Sequence, residues 1–354
     1  MRAVFICADN IYLTPYLKVY TDIFTKNNWD YDIIFWDKNN NEKVNENNIF
    51  RFKNSNSNKV LGYFKYKKFI KYRLSKQNYD IVVVLNSVII WLLFYELITK
   101  YSKKYIYDIR DYSYEKYFIF RYIQKKIVNA SLMNVISSEG YKSFLPKAEY
   151  IVLHNSFKLK DSKFKDMRNE INRPIKLSFI GLIRFMEMNR KIIDFFKNDS
   201  RFQIQFFGTN AEQLHNYIDE NNIKNVKLLD TFKPEDTLKL YQETDLILNL
   251  YGNKTPLLDY ALSNKLYYAA TLYKPILVCP ETFMEKMVKK YNIGYSLSLE
   301  KEDEKDALFD YIKKLDRKKF ILNCDKFMHK VNFENKLFEK LLIDRIEGMR
   351  ENLE

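Results

Sequence analysis

The sequence of 354 residues predicts an α/β protein with two doubly wound parallel sheets. Short runs rich in β-branched and aromatic residues alternate with helical stretches through both halves of the chain, a pattern typical of parallel sheets covered by helices on both faces. A charged segment without apolar periodicity, 158–174, ends at a proline and separates the halves. The length suffices for two domains of ordinary size, each with its own core.

The same alternation gives the order of the elements. Strands are predicted at 3–7, 31–36, 81–85, 105–109, 134–137 and 150–154, and after the linker at 176–180, 203–207, 226–229, 246–250, 275–278 and 295–297. Helices are predicted at 12–26, 64–76, 88–101, 114–129, 189–196, 211–220, 234–243, 257–271 and 281–291, and again from 303 onward. The predicted domains are 1–157 and 175–330, joined by the linker 158–174 and followed by a C-terminal helix, 331–354.

Composition and cysteine usage favour a globular cytoplasmic protein. Apolar and aromatic residues make up 47% of the chain, too many for a disordered protein. The three cysteines are widely spaced and form no CxxC pair, which favours a reducing compartment. The first strand becomes polar too early for a signal peptide, and the longest apolar run, 81–95, is too short and too interrupted to span a bilayer.

The positive charge is concentrated in the first half. The net charge is +14, and residues 1–156 hold 24 Lys and Arg against 14 Asp and Glu. Lys59–Lys76 contains seven cations, no acid and five interleaved aromatic residues. Such a helix lies on an anionic membrane surface or is solvated with its rings in the core, and both interpretations stay open. Nucleic-acid binding is not expected, because the chain shows no recognisable nucleic-acid module.

Two blocks in the second half suggest an anion site. A predicted strand ends at Gly181, where a missing side chain permits close approach, and Arg184 follows at the sheet edge where open α/β sheets bind ligands. Arg190, at the start of the next predicted helix, is expected to add a second cation to this site. Further on, Ser263-Asn264-Lys265 opens an amphipathic helix, where free backbone N–H groups favour an anion and Lys265 adds a full positive charge.

These two blocks resemble the donor-nucleotide site of GT-B glycosyltransferases, in particular the large GT4-like group of bacterial polysaccharide transferases. The resemblance implies two Rossmann-like domains with an interdomain cleft, and it places the donor diphosphate on Arg184 and Lys265. It implies a nucleotide-sugar substrate, a UDP-sugar being the donor we expect, and no cofactor. It also implies a saccharide acceptor, expected to be lipid-linked, retention of configuration, and a last helix that packs on the first domain. Tyr268 departs from the family, which has a Glu there to contact the donor ribose.

Further residues complete the predicted donor site. Gly208 and Thr209 lie between a strand and a helix, where backbone groups can contact a base or ribose. Tyr251 and Gly252 follow the fourth strand of the second half, and Gly252 permits close contact with the donor sugar.

The acceptor residues are expected at strand ends in the first half. Asp108 and Asp111 belong to a segment that resembles an Asp-x-Arg-Asp of the GT4-like group, and a carboxylate there can orient a hydroxyl or accept its proton. A helix cap and a salt bridge with Arg110 are the competing structural interpretation. His154 closes the last strand of the first half as a catalytic or packing residue. Asp9 and Asn10, after the first strand, are predicted to contact the acceptor.

No metal site is predicted. Asp30-Tyr31-Asp32 precedes its strand and so faces the wrong end of the sheet, and the three histidines are too scattered for ligand spacing. The expected function is sugar transfer in bacterial surface polysaccharide synthesis, in the cytoplasm or on the inner face of the plasma membrane. Two alternatives stay open: a non-catalytic GT-B-like partner subunit, and a nucleotide-sugar epimerase.

Overall fold

The computed structural model describes residues 1–44, 46–54, 59–156 and 173–351. The chain forms two compact units: Met1–Asn155 together with Phe333–Glu354, and Ser156–Asn332. The predicted linker, 158–174, lies outside the described residues apart from its last two positions.

The first unit contains a seven-stranded parallel sheet with the order β3-β2-β1-β4-β5-β6-β7. Its strands are β1 (Arg2–Cys7), β2 (Asp30–Trp36), β3 (Ile49–Phe52), β4 (Ile81–Val84), β5 (Tyr105–Ile109), β6 (Met133–Ile136) and β7 (Ile151–Val152). The six predicted strands are present, and β3 was missed. Because β3 is a short, half-buried edge strand, its residues lack the continuous apolar run that marks the central strands.

The helices of the first unit are α1 (Leu17–Lys26), α2 (Lys59–Lys76), α3 (Ser87–Leu92), α4 (Phe94–Ile98) and α5 (Phe118–Ala130). The prediction that one helix starts at residue 12 was wrong: a 3-10 turn, Ile11–Leu13, comes first. Pro15 disfavours helical geometry at Thr14, so α1 begins only after it. The predicted helix 88–101 is two short helices that meet at Leu93.

The second unit contains a six-stranded parallel sheet with the order β10-β9-β8-β11-β12-β13. Its strands, all predicted, are β8 (Ile175–Ile180), β9 (Phe202–Phe207), β10 (Val226–Leu229), β11 (Leu246–Asn249), β12 (Ile276–Val278) and β13 (Gly294–Ser296). Its helices are α6 (Met186–Phe195), α7 (His215–Glu220), α8 (Thr237–Gln242), α9 (Pro256–Asp259), α10 (Asn264–Thr271), α11 (Phe283–Tyr291) and α12 (Asp303–Lys313). The predicted helix 257–271 is split into α9 and α10.

The last helix, α13 (Arg317–Glu351), contributes to the core of each unit. Phe320, Phe327 and Val331 from its first half are buried in the second unit. Phe338 and Leu342 are buried in the first unit, where the Phe338 ring packs edge-on against Tyr20 at 5.3 Å. The predicted helix 331–354 is therefore the second half of a longer helix. Among the described residues, no helix combines the length and apolar character needed to cross a membrane.

The strand orders place a ligand site at a definite edge of the second sheet. β8 lies between β9 and β11, so the connections run to opposite sides from that point. In open α/β sheets, ligands bind outside the carboxyl ends of the strands at such a reversal of strand order. The loops after β8, β9 and β11 are therefore the expected walls of a site in this unit. The two parallel sheets confirm the predicted fold class.

Buried Lys274 leads us to expect that the stability of the second unit depends on pH. Burial lowers the pKa of Lys274 to about 8, and its ammonium donates to the Gln242 carbonyl at 3.1 Å. An unfolded chain keeps this proton up to about pH 10.4, so the free energy of unfolding rises by about 2 kcal/mol between pH 7 and about pH 9.5. Urea unfolding of Lys274→Met should show no such rise, whereas Lys197→Met, at an exposed position, should retain it. A rise that persists in Lys274→Met would contradict the assignment.

Candidate functional site

Two glycines bring the loops after β8 and β9 into direct contact. Gly208 has φ 141°, and a Cβ atom there would lie 1.9 Å from the carbonyl oxygen of Gly181. Gly181 has φ 125°, and its N–H donates to the Phe207 carbonyl at 2.9 Å. Only glycine tolerates both the backbone angles and the contact. The edge of the sheet thus has no Cβ atoms at the positions directly after β8 and β9.

Lys265 reaches this same point from α10. Ser263 caps the helix, and its hydroxyl accepts a hydrogen bond from the Lys265 N–H at 3.3 Å. The Lys265 ammonium lies 3.8 Å from where a Cβ of Gly181 would be and 4.1 Å from the centre of the Phe179 ring. It donates to the Tyr251 hydroxyl at 2.9 Å. The two blocks singled out in the sequence therefore meet in space at Gly181 and Lys265.

The ammonium of Lys265 is buried without an acidic partner. The residue is 7% exposed, and none of the carboxylates in the described part of the chain forms an ion pair with it. Two aromatic rings and one hydroxyl only partly replace the water that this group loses on folding. Since a buried charge is costly unless paired, the geometry is suited to an anionic ligand that supplies the missing partner.

Arg184 extends the positive charge to the surface. It is exposed in the loop after β8, and its guanidinium lies 5.6 Å from the ring of Phe185. Phe185 has the left-handed angle φ 58°, and its ring packs edge-on against Tyr251 at 5.8 Å. The Asn189 side-chain amide donates to the Arg184 carbonyl at 2.8 Å. The backbone of the loop is thereby held in place, while the guanidinium stays accessible to a ligand.

The contacts of Arg190 differ from those of Lys265. Its guanidinium lies 5.0 Å from the ring of Tyr217 on α7. It lines a shallow cavity of about 480 Å³ together with several acidic side chains, Glu187, Asp194, Glu300 and Glu302. Its surroundings already supply negative charge, unlike those of Lys265.

The remaining donor candidates have contacts of their own or are exposed. The N–H of Gly252 donates to the Cys279 sulfur at 3.3 Å, which holds the loop after β11 against the end of β12. Thr209 and Asn264 are exposed. Tyr268 stacks on Tyr241 at 4.5 Å, and burial raises the pKa of the Tyr268 phenol. At the position of the family Glu, the chain therefore has a packed aromatic ring.

Two of the three predicted catalytic residues of the first unit are buried in contacts with the protein. Asp108 is fully buried, accepts hydrogen bonds from Tyr20 at 2.7 Å and Arg110 at 2.6 Å, and forms an ion pair with Arg110. His154 is also buried, with its Nε2 2.7 Å from Oε2 of Glu334. Asp111 is exposed. Because a general base has to touch its substrate, Asp111 is the candidate that the structure leaves accessible.

The predicted acceptor residues at the end of β1 also have partners in the chain. Asn10 is fully buried, donates to Asp37 at 2.6 Å and accepts from the Lys38 N–H at 3.1 Å. Asp9 forms an ion pair with the Lys38 ammonium at 2.8 Å. Asn10 thus shapes the loop, and Asp9 is the partly exposed member of the pair.

Sequence reasoning singled out Tyr251 but missed Phe179 and Phe185, the other two aromatic residues of this site. Phe179 lies on β8 and has the sequence pattern of an ordinary core residue, so nothing marks it as a neighbour of a cation. Phe185 has one unusual feature in the sequence: it is an apolar residue directly after Arg184 in a predicted loop. That feature indicates a site residue only once its left-handed backbone angle is known. Within the described residues, no three His, Cys, Asp or Glu side chains are grouped to hold a metal ion.

Comparisons with known proteins identify the fold. No family model and no curated protein matches this sequence. Among solved structures, sucrose-phosphate synthase from Thermosynechococcus elongatus matches with a TM-score of 0.73 at 9% identity, covering 100% of both chains. The lipopolysaccharide outer core galactosyltransferase WaaB matches with 0.67 at 13% identity, covering 98% of this chain and 100% of its own.

A third solved structure is HepE of Anabaena in complex with UDP and glucose. It matches with a TM-score of 0.69 at 11% identity, covering 97% of this chain and 100% of its own. The chain has the GT-B fold of these glycosyltransferases, as the sequence predicted.

We expect Gly208→Ala to destabilise the second unit by at least about 3 kcal/mol, because a Cβ clashes with backbone that cannot move independently. Gly348→Ala is the matched control: a Cβ there meets nothing within 4 Å, and alanine favours the helix. Chemical denaturation of both variants measures the difference. Equal stability of the Gly208→Ala variant and the wild type would contradict the close approach.

Proposed function

We propose that the protein is a glycosyltransferase that moves a sugar from a nucleotide diphosphate donor to a saccharide acceptor. The observation that carries this proposal is the buried, acid-free ammonium of Lys265 at the edge of the second sheet where the strand order reverses. The complex of HepE with UDP and glucose supports UDP as the nucleotide.

The donor diphosphate accepts negative charge as the sugar leaves, and stabilising that charge is the main task of the site. In the proposal, Lys265, Arg184 and the N-terminus of α10 at Asn264 act on the diphosphate as preorganised positive charges. Gly181 and Gly208 let its oxygens approach the backbone, and Tyr251 orients the ammonium. We propose that these groups suffice without a metal ion, and that configuration is retained, as the family resemblance implies.

The acceptor is proposed to bind the first unit. Asp111, exposed after β5, orients the attacking hydroxyl or accepts its proton, and Asp9 contributes a further contact. We propose a lipid-linked saccharide as acceptor and a role in bacterial surface polysaccharide synthesis. The similarity to a galactosyltransferase of the lipopolysaccharide outer core supports that role.

One observation favours a second candidate, a non-catalytic partner subunit with the same fold. Tyr268 replaces the ribose-binding Glu of the resembling family, and its ring is committed to stacking on Tyr241. A protein that has lost donor binding would tolerate such a change. Nucleotide binding therefore distinguishes the two functions.

We expect Lys265→Ala and Arg184→Ala each to weaken UDP binding at least tenfold and to leave uridine binding unchanged. The lost contact is a charge-assisted hydrogen bond worth about 1.5–3 kcal/mol, and uridine lacks the phosphates that make it. Isothermal titration calorimetry with UDP, GDP, CMP and dTDP measures this and identifies the nucleotide.

Lys227→Ala is the matched control, because Lys227 also lies over a phenylalanine ring, that of Phe207, but at an exposed position. UDP affinity of Lys265→Ala within about threefold of wild type would refute the diphosphate assignment. Failure of the wild type to bind any of the nucleotides would favour the partner subunit.

A further inference from the structure

Large apolar side chains are exposed at three neighbouring places in the first unit. Phe118 and Ile119, in the first turn of α5, are 74% and 66% exposed, and Phe64 in the second turn of α2 is 61% exposed. The other exposed apolar residues of these places are Tyr12 and Leu13 in the 3-10 turn, Val60 and Leu61 in α2, Tyr117 directly before α5, and Tyr122 in α5. Isolated exposed apolar residues are ordinary, but a cluster of this kind marks an interaction surface.

The three places share one edge of the sheet. The 3-10 turn follows β1, α2 follows β3 and α5 follows β5, and the carboxyl ends of parallel strands lie at the same edge. Contacts between side chains join them. The Asn39 amide bonds the Tyr12 hydroxyl, and the Lys38 ammonium lies 5.9 Å from the Tyr63 ring. Burial raises the pKa of Tyr114, and Tyr63, Lys38 and Tyr117 lie close enough to influence it.

The two helical segments of this surface carry charge of one sign, while an acid, Glu42, accepts from the Tyr12 N–H at the 3-10 turn. Residues 59–76 and 116–126 together contain eleven Lys and Arg and no Asp or Glu. Lys71 is paired with Glu96 at 2.7 Å, but Lys65, Lys68, Arg121 and Lys125 are exposed. Basic and aromatic side chains also touch: the Lys116 ammonium lies 5.0 Å from the Tyr117 ring, and that of Lys126 lies 5.5 Å from the Tyr122 ring.

The core of the unit does not require these apolar side chains. α2 packs inward through Tyr66, Ile70 and Leu74, and α5 through Phe120 and Ile127, all of which are buried. The exposed rings are therefore additional to the residues that hold the helices on the sheet. Different faces of α2 meet the core and the solvent: the Tyr66 ring is in the core and the Phe64 ring is exposed. Membrane contact of this helix stays a prediction.

We propose that this surface binds a lipid bilayer that contains anionic phospholipids. We call it the basic aromatic edge, and we define it by residues 12–13, 60–68 and 116–126. Rings and aliphatic side chains enter the headgroup region, and the cations meet lipid phosphates. The positive charge favours an anionic membrane over a second copy of this chain, because the same surface of a second copy is also positive and would repel it. The inference depends on no step of the proposed sugar transfer, and it adds α5 and the 3-10 turn to the helix that the sequence suggested.

Cosedimentation with vesicles tests the proposal on the full chain without nucleotide. We expect binding to vesicles of phosphatidylcholine with about 30% phosphatidylglycerol, weak binding to phosphatidylcholine alone, and release at high salt. Phe118→Ser with Ile119→Ser, and Lys65→Gln with Lys68→Gln, should each weaken binding about tenfold.

Matched controls come from exposed residues of α13. Leu322→Ser with Phe333→Ser, and Lys318→Gln with Lys319→Gln, should bind the vesicles like wild type. Thermal melts check that every variant is folded. UDP titration of the Phe118 and Ile119 variant shows whether a loss of vesicle binding leaves nucleotide binding unchanged.

Absence of wild-type binding to the anionic vesicles would overturn the proposal, as would an equal loss in the α13 controls. A concentration-dependent dimer that is abolished by the Phe118 and Ile119 changes would also overturn it, in favour of self-association. Failure to bind any of the four nucleotides, with intact vesicle binding, would refute the donor assignment and leave the membrane proposal supported.

Discussion

The buried ammonium of Lys265 is the constraint on which the candidate site of the second unit depends. A positive charge removed from water needs compensation, and here the surroundings supply two aromatic rings and one hydroxyl instead of a carboxylate. An acid in that place would stabilise the protein, but it would also occupy the position that an anionic ligand has to take. The neighbouring residues are consistent with this requirement: Ser263 fixes the start of α10, Phe185 adopts a left-handed backbone to reach Tyr251, and Asn189 holds the loop of Arg184. The local strain at Phe185 fits a site in which geometry is kept at some cost in stability.

The chain uses its few glycines for the same purpose. It contains seven, and the three with positive φ angles, Gly181, Gly208 and Gly252, all follow strands at one edge of the second sheet. In a sequence rich in Lys, Asn, Tyr and Phe, side chains would otherwise crowd that edge. The contact with the Gly181 carbonyl shows why Gly208 admits no replacement, and the φ angle of 125° restricts Gly181 to glycine. The first sheet lacks such glycines after its strands, and its loops are instead held by side-chain networks such as Asn10 with Asp37.

The sequence predicted the parts of this protein that depend on local pattern. Buried parallel strands such as β1 and β8 are continuous apolar runs, so their existence and order could be predicted. The edge strand β3 was missed because its residues are only half-buried. The helix predicted at 257–271 is divided before α10, which begins after the cap at Ser263, the helix start that the sequence had indicated. Lys265 and Gly181 could be singled out because a cation at a helix start and a glycine at a strand end have direct chemical meanings. Tyr251 could be singled out by its place after a strand, but the contact of Phe179 with the ammonium could not be predicted, since Phe179 has the pattern of an ordinary core residue. Likewise, the burial of Asp108 depends on Tyr20, which lies 88 residues earlier in the chain.

The two units have similar sheets but differ in where the charged side chains assigned to binding lie. In the first unit Asp108 is paired with Arg110 and Asp37 with Arg51, and buried Glu115 is held by hydrogen bonds from the Ser113 N–H and the Gln124 amide. Exposed cations lie on α2 and α5. Among the described residues of the second unit, two lysines are buried without an ion pair: Lys274, which donates to the Gln242 carbonyl, and Lys265, which lies at the end of the sheet beside Gly181. A buried cation selects a small anion that fits its pocket, whereas exposed cations among aromatic side chains select an extended anionic surface. This difference in placement, rather than the fold that both units share, is the physical reason for assigning a diphosphate to one unit and a membrane to the other.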